Sequence, residues 1–183
     1  MDFLEKNLED IIYENANTEE GLSFLGERGL MLYGHTYRQV SLGEYGIADL
    51  LNVFTDGKKG SRILVFNVIE LKKEILTEKA LSQVCRYLTA INKIIHKIKE
   101  QDTKNTWYAV LSKATLIGKG ASDSLLQMLP VFEDIDVYTY KYELDGLGFY
   151  YKNYNNKFDD YKIPNCVMDD FLHPSISTLK QIL

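Results

Sequence analysis

The chain has 183 residues, of which 45% are hydrophobic and 26% are charged, and it carries a net charge of −5 at pH 7. This length and composition are typical of one globular domain with its own core, and they argue against a disordered chain. The acidic balance argues against a protein that coats nucleic acid, because neutralising phosphates requires many Lys and Arg side chains. It does not exclude an enzyme with a local site for nucleic acid.

Several other classes are excluded by simple patterns. No apolar run approaches the ~20 residues that a transmembrane helix needs, and the acidic start Met1–Glu5 lacks the features of a signal peptide. We therefore expect a cytoplasmic protein without a membrane partner. Two cysteines, Cys85 and Cys166, do not make a disulfide framework, and the three histidines show no zinc-ligand spacing.

A helix is predicted from Asp2 to about Asn15, because apolar residues recur at helical spacing. Glu5 and Glu9 lie one turn apart on the flank of this apolar stripe, which consists of Leu4, Leu8, Ile11 and Ile12. A turn-rich stretch is predicted to follow the helix, since glycines occur at positions 21, 26, 29 and 34.

Three strands are predicted next, over Tyr37–Leu42, Gly46–Thr55 and Arg62–Lys72. Residues 56–60 (Asp-Gly-Lys-Lys-Gly) have the composition of a hairpin turn between the second and third strands. The third strand is apolar on both faces, which predicts a central position with both sides covered.

The remaining elements are predicted as the longest helix, Thr77–Glu100, a buried strand, Thr106–Ser112, a helix, Ala121–Leu129, and a strand, Ile135–Glu143. The order α-β-β-β-α-β-α-β predicts an α/β fold, with a mixed central sheet flanked by helices on both faces. A single domain over residues 1–183 is expected, with a core of about 1–144 and a tyrosine-rich extension of about 145–183.

Asp49, Glu70 and Lys72 form a polar group inside otherwise apolar strands. Glu70 and Lys72 are two residues apart, so they point to the same face roughly 6.6 Å apart along the strand. A hairpin would bring Asp49 to the same end. Buried charges need compensation, so these groups either pair with one another or hold a divalent cation. Two carboxylates with open water positions suit Mg²⁺, and the carbonyl of Leu71 offers a further oxygen.

Three more residues are candidates for the same site. Glu9 is favoured over Glu5 as a metal-reaching carboxylate of the first helix, because Glu5 has a competing role as a helix cap. Gln83 and Tyr87 lie one turn apart on the long helix, where they would orient the metal ligands or touch a nucleic-acid backbone. Each motif alone has a plainer explanation, such as a surface ion pair or a core tyrosine. Their order and placement together are more specific.

These residues resemble the signature of the PD-(D/E)XK nuclease superfamily, an Asp on one strand and a Glu-x-Lys on the next. Gln83-x-x-x-Tyr87 is similar to the RecB-like branch, and the wider pattern resembles the NucS-type endonuclease domain. The segments that carry this wider likeness are Leu8-Glu9, Arg38-Gln39, Ala48–Leu51, Val68–Lys72 and Ala80–Tyr87.

The resemblance implies a restriction-endonuclease-like fold and a metal-dependent nuclease that hydrolyses phosphodiester bonds of DNA with Mg²⁺ or Mn²⁺. It makes Asp49 and Glu70 metal ligands, Glu9 the helix carboxylate that reaches the metal directly or through a water, Lys72 the catalytic lysine, and Gln83 with Tyr87 an accessory pair. Ala48 departs from the proline that gives the superfamily its name. No separate nucleic-acid-binding domain is evident, which leaves the form of the substrate and a homodimer open.

A second hypothesis is a catalytically silent module that uses the nuclease fold for interaction or nucleic-acid binding in a defence, repair or phage-related complex. Its motivation is the acidic balance and a tyrosine-rich C-terminal third. Those side chains would form a protein interface or a stacking surface for single strands, and they are Tyr138, Tyr140, Tyr142, Tyr150, Tyr151, Tyr154 and Tyr161.

Overall fold

A computed structural model describes residues 5–57, 62–102, 107–144 and 146–152 of the chain. Within these residues the helices are α1 (Glu5–Asn15), α2 (Glu19–Glu27), α3 (Glu78–Gln101) and α4 (Asp123–Met128). The strands are β1 (His35–Ser41), β2 (Ile47–Asp56), β3 (Ile63–Leu71), β4 (Ile75–Leu76), β5 (Ala109–Gly118), β6 (Gly120–Ala121), β7 (Ile135–Glu143) and β8 (Gly146–Tyr151). Short 3₁₀ helices cover Gly43–Tyr45 and Leu129–Val131.

Six of the strands form one mixed sheet in the order β1-β2-β3-β5-β7-β8. The pairs β1–β2, β2–β3 and β7–β8 are antiparallel, whereas β3–β5 and β5–β7 are parallel. Eight of the nine residues of β3 are buried, which confirms the prediction of a central strand covered on both sides. β4 and β6 form a separate parallel pair, which the sequence pattern does not predict.

Helices cover both faces of the sheet, so the predicted α/β class is confirmed. On one face, α1 and α2 pack their leucines against a cluster that includes Leu50, Ile69 and Ile117. On the other face, α3 packs against Phe66, Val68 and Leu116. None of the helices in the described ranges is long and apolar enough to cross a membrane.

The prediction of a turn-rich stretch after the first helix is wrong, because α2 occupies Glu19–Glu27. Thr18 caps this helix by accepting a hydrogen bond from the N–H of Gly21 at 3.1 Å. A Cβ atom on Gly21 would lie 2.2 Å from the carbonyl oxygen of Asn15. This glycine therefore allows close packing of α2 against α1 rather than a turn.

Two further differences lie in the second half of the sheet. β5 continues to Gly118, six residues beyond its predicted end at Ser112, and its Thr115 hydroxyl donates to Asn67 at 3.0 Å. That cross-strand bond satisfies two buried polar side chains. Polar residues such as Thr115 make this part of the strand hard to recognise in the sequence. β8 lies within the predicted C-terminal extension and pairs with β7, so β7 is an inner strand of the sheet.

The predicted tyrosine surface is also wrong for two of its members. Tyr138 and Tyr140 are buried in the core beneath α1 and α2, while Tyr142 at the end of β7 is exposed. Tyr154 and Tyr161 lie outside the described residues, as do Cys166, Leu4 and the rest of the predicted extension beyond residue 152.

Candidate active site

The β2–β3 hairpin brings Asp49 and Glu70 to the same end of the sheet. Its register pairs Leu50 with Ile69, so extending that register by one residue sets Asp49 opposite Glu70. Residues opposite each other on antiparallel strands point to the same face. Glu70 is 1% exposed, and Asp49 Oδ2 accepts a hydrogen bond from the N–H of Leu71 at 2.8 Å. Two carboxylates therefore share one partly buried space.

Lys72 follows directly after β3 and lies beside this carboxylate pair. Its Nζ is 2.5 Å from Glu70 Oε1 and 3.8 Å from Glu5 Oε1. Its own N–H donates to the carbonyl of Ile117 on β5 at 2.8 Å, which fixes the backbone where the side chain starts. With 31% of the side chain exposed, the ammonium reaches from the buried carboxylates toward solvent.

The charges of this group are only partly compensated. Glu70 Oε1 pairs with Lys72, but Glu70 Oε2 is buried and has no hydrogen-bond partner among the described residues. Burial raises the pKa of Glu70 to about 7, and the nearby charge of Asp49 adds to that effect. Burial also raises the pKa of Asp49, although the Leu71 N–H and the Lys72 charge act in the opposite direction. The site thus contains negative charge that the groups of the described residues only partly balance.

Lys72 is protonated in this environment. Burial alone would lower its pKa, but the hydrogen bond to Glu70 and the charges of Glu70, Glu5 and Asp49 together raise it. A cation is therefore present at the edge of the acidic pair at neutral pH.

Gln83 and Tyr87 act on the start of β2. Gln83 Nε2 donates to the Tyr87 hydroxyl at 2.8 Å, and that hydroxyl donates to the carbonyl of Ile47 at 2.7 Å. Gly46 has φ +114°, and a Cβ atom there would lie 3.2 Å from the Tyr87 ring. Burial raises the pKa of Tyr87, and the charges of Glu70 and Asp49 raise it further. The pair therefore anchors β2 two residues before Asp49.

Replacing Tyr87 with phenylalanine is expected to lower the free energy of unfolding by about 1–2 kcal/mol, because the Ile47 carbonyl and the Gln83 amide lose their shared partner. Urea unfolding followed by circular dichroism measures this change. Tyr108→Phe is the matched control, because Tyr108 is 77% exposed, and its stability should stay within about 0.5 kcal/mol of the unmodified protein. Equal stability of the two variants would contradict an anchoring role for Tyr87.

Glu9 lies on α1, but its carboxylate is directed at β1. Arg38 Nε is 2.5 Å from Glu9 Oε1, and Gln39 Nε2 lies 2.9 Å from both oxygens. Glu5, one turn earlier, is the α1 carboxylate that contacts Lys72. The sequence pattern does not show that Glu5 rather than Glu9 contacts Lys72, since the two residues occupy equivalent positions on the flank of the stripe.

No protein-family model, curated protein or solved structure matches this chain.

The carboxylates of Asp49 and Glu70 suit a divalent cation in chemistry, although they are fewer than the three ligands of a typical protein metal site. Among the described residues, no set of three or more His, Cys, Asp or Glu side chains is placed to hold a metal ion. Mg²⁺, however, commonly uses only one or two carboxylates and completes its shell with water. The unpartnered, buried oxygen of Glu70 beside a second carboxylate supplies the oxygen donors that such an ion prefers.

Proposed function

We propose that this chain is a divalent-metal-dependent nuclease of the PD-(D/E)XK type that hydrolyses phosphodiester bonds of DNA. The observation that carries the proposal is the buried Glu70 Oε2, which has no partner in the described part of the chain and lies next to Asp49 and Lys72. An unsatisfied buried polar group costs about 1–3 kcal/mol, and a cation bound at this oxygen would offset that cost.

The arrangement of elements supports the same proposal. The hairpin β2–β3 carries the two carboxylates and the lysine, α1 lies against one face of that hairpin, and α3 lies against the other. The resemblance to the PD-(D/E)XK superfamily implies a core of this kind, and the observed combination is compatible with it. It also agrees with the signature residues, Asp49 on one strand and Glu70 with Lys72 at the end of the next.

Asp49 and Glu70 would hold Mg²⁺ or Mn²⁺, with the carbonyl of Leu71 as a further oxygen donor. When bound, the cation would polarise the scissile phosphate and lower the pKa of a water molecule. Because the pKa of Glu70 is about 7, loading the site near neutral pH should displace a proton from this carboxyl group.

Lys72 would contribute a fixed positive charge. Its pKa is raised, which favours a protonated ammonium that donates to the phosphate oxygens over a lysine that removes a proton from water. Such a donor stabilises negative charge as it develops on the phosphorane. Glu70 keeps the ammonium in place through its Oε1, so one carboxylate orients the lysine with one oxygen and offers the other oxygen to the cation.

The test is a cleavage screen with single-stranded, duplex and branched DNA and with RNA, each in Mg²⁺, in Mn²⁺ and in EDTA. The proposal expects cleavage of at least one DNA substrate with metal and none in EDTA. Cleavage that persists in EDTA, or cleavage of RNA alone, would contradict it. Absence of both cleavage and Mn²⁺ binding by calorimetry, with a stable dimer or larger complex in solution, would favour the silent interaction module instead.

A further inference from the structure

Gln39 on β1 has an unusual backbone conformation. Its φ is +50°, and it is the non-glycine residue with positive φ in the described part of the chain. Residues with a Cβ atom rarely adopt this left-handed backbone conformation, and they keep it only where the surrounding structure imposes it. The β1–β2 ladder pairs Arg38 with Leu50 and Val40 with Ala48, but it skips Gln39 and Asp49.

The side chain of Glu9 holds this conformation in place. Gln39 Nε2 donates to both carboxylate oxygens of Glu9 at 2.9 Å. Glu9 is itself buried, at 7% exposure. Arg38 adds Nε at 2.5 Å from Glu9 and Nη2 at 2.6 Å from Asp10, so the neighbouring residue is fastened to the same helix. Hydrogen bonds to a buried carboxylate are strong enough to hold a strained backbone.

The skipped pair lies directly against the candidate active site. Since Gln39 does not pair with Asp49, the Asp49 backbone is outside the β1 ladder, and the β2–β3 pairs begin only at Leu50. Asp49 Oδ2 instead accepts from the N–H of Leu71. An extended residue at position 39 would pair with Asp49 and draw the β2 backbone into regular strand geometry.

We infer that Glu9 and Gln39 are positioning residues for Asp49: the Glu9 carboxylate locks Gln39 in the left-handed conformation, and that conformation sets the Asp49 carboxylate on Leu71 and opposite Glu70. The inference rests on the proposed function only for the catalytic role of Asp49, because the positioning itself is argued from the geometry. It assigns Glu9 a task through Gln39 in place of direct contact with a cation.

Hydrogen exchange at the Leu71 amide tests the inference, because that amide reports the placement of Asp49 without any need for activity. Gln39→Val disfavours positive φ, and we expect exchange at Leu71 to accelerate at least about tenfold. Gln39→Gly adopts the same φ without strain, and exchange should stay within about threefold of the unmodified protein. Exchange at Phe66, in the middle of the same strand, is the internal control and should not change.

Glu9→Ala removes the lock itself and should accelerate exchange at Leu71 as Gln39→Val does. If that variant fails to fold, the two Gln39 variants decide. Equal exchange at Leu71 in Gln39→Val and Gln39→Gly would overturn the inference.

The same variants separate this inference from the proposed function. Accelerated exchange at Leu71 in a chain that neither binds Mn²⁺ nor cleaves DNA supports the positioning role and contradicts the nuclease. An active nuclease in which Gln39→Val changes neither the Leu71 exchange nor the Mn²⁺ concentration for half-maximal cleavage contradicts the positioning role alone.

Discussion

Lys72→Met is expected to lower the rate of DNA cleavage by about a thousandfold, the range measured when a single donor to a developing charge is removed. Methionine keeps the length and the apolar stem of lysine but carries no charge. The side chain starts from a backbone that is bonded to Ile117, so the fold should not change. Single-turnover cleavage, measured with saturating enzyme and Mg²⁺, reports the chemical step.

The control for this variant is Lys97→Met, which changes the net charge equally. Lys97 is exposed on the outer side of α3, and its loss should leave the cleavage rate within about twofold. A rate that falls equally in both variants would show that overall charge, rather than the Lys72 ammonium, supports cleavage.

Glu70→Gln is expected to abolish Mn²⁺ binding and cleavage while it makes the metal-free protein more stable above neutral pH. The ionised Glu70 is unfavourable in the folded state, because burial and the Asp49 charge outweigh the attraction of Lys72. The amide removes that unfavourable charge. Lys72 keeps Glu5 at 3.8 Å and is partly exposed, so its ammonium is not left isolated in the core.

The raised pKa of Glu70 determines how the free energy of unfolding changes with pH. The pKa of Glu70 is raised from 4.5 to about 7 on folding, so the unfolded chain loses this proton before the folded chain does. Stability of the metal-free protein should therefore decrease as pH rises from 4.5 toward 7. Above that range the penalty is on the order of 3 kcal/mol. Glu70→Gln should remove the part of this slope that Glu70 contributes and leave the part that comes from the raised pKa of Asp49. The two proteins should converge in stability below pH 4.5.

Urea unfolding in EDTA at several pH values measures the effect, and Glu74→Gln is the matched control. Glu74 is exposed four residues further along the chain, and its replacement should preserve the pH slope of the unmodified protein. A Glu70→Gln variant that is less stable than the unmodified protein at about pH 8 would contradict the conclusion that the Glu70 charge is uncompensated.

The sequence predicts the hairpin and the long helix well, because β2 and β3 are apolar runs on either side of a turn composition and α3 has a continuous helical pattern. The second helix is missed because Gly21 is read as a turn residue, whereas it serves close contact with Asn15. Only the packing of two helices reveals that use. The extension of β5 past Ser112 is missed for a similar reason, since Thr115 becomes compatible with a buried strand only through Asn67 on the neighbouring strand.

At the candidate site, local rules are enough to bring Asp49, Glu70 and Lys72 together. Strand parity places Glu70 and Lys72 on the same face, and the antiparallel pairing of β2 with β3 brings Asp49 to the same end. The partners of Glu5 and Glu9, in contrast, cannot be predicted from local rules. They depend on how α1 lies across β1 and the end of β3, and on a left-handed residue at Gln39, neither of which has a local sequence signal.

The most direct measurement of the central claim is DNA cleavage by unmodified protein and by Asp49→Asn, purified in parallel and assayed in Mg²⁺. Asparagine keeps an oxygen to accept the Leu71 N–H but removes the negative charge beside Glu70. We predict metal-dependent cleavage by the unmodified protein and a loss of about a thousandfold or more in the variant. Equal cleavage by the two preparations would contradict the assignment of Asp49 and Glu70 as the active site.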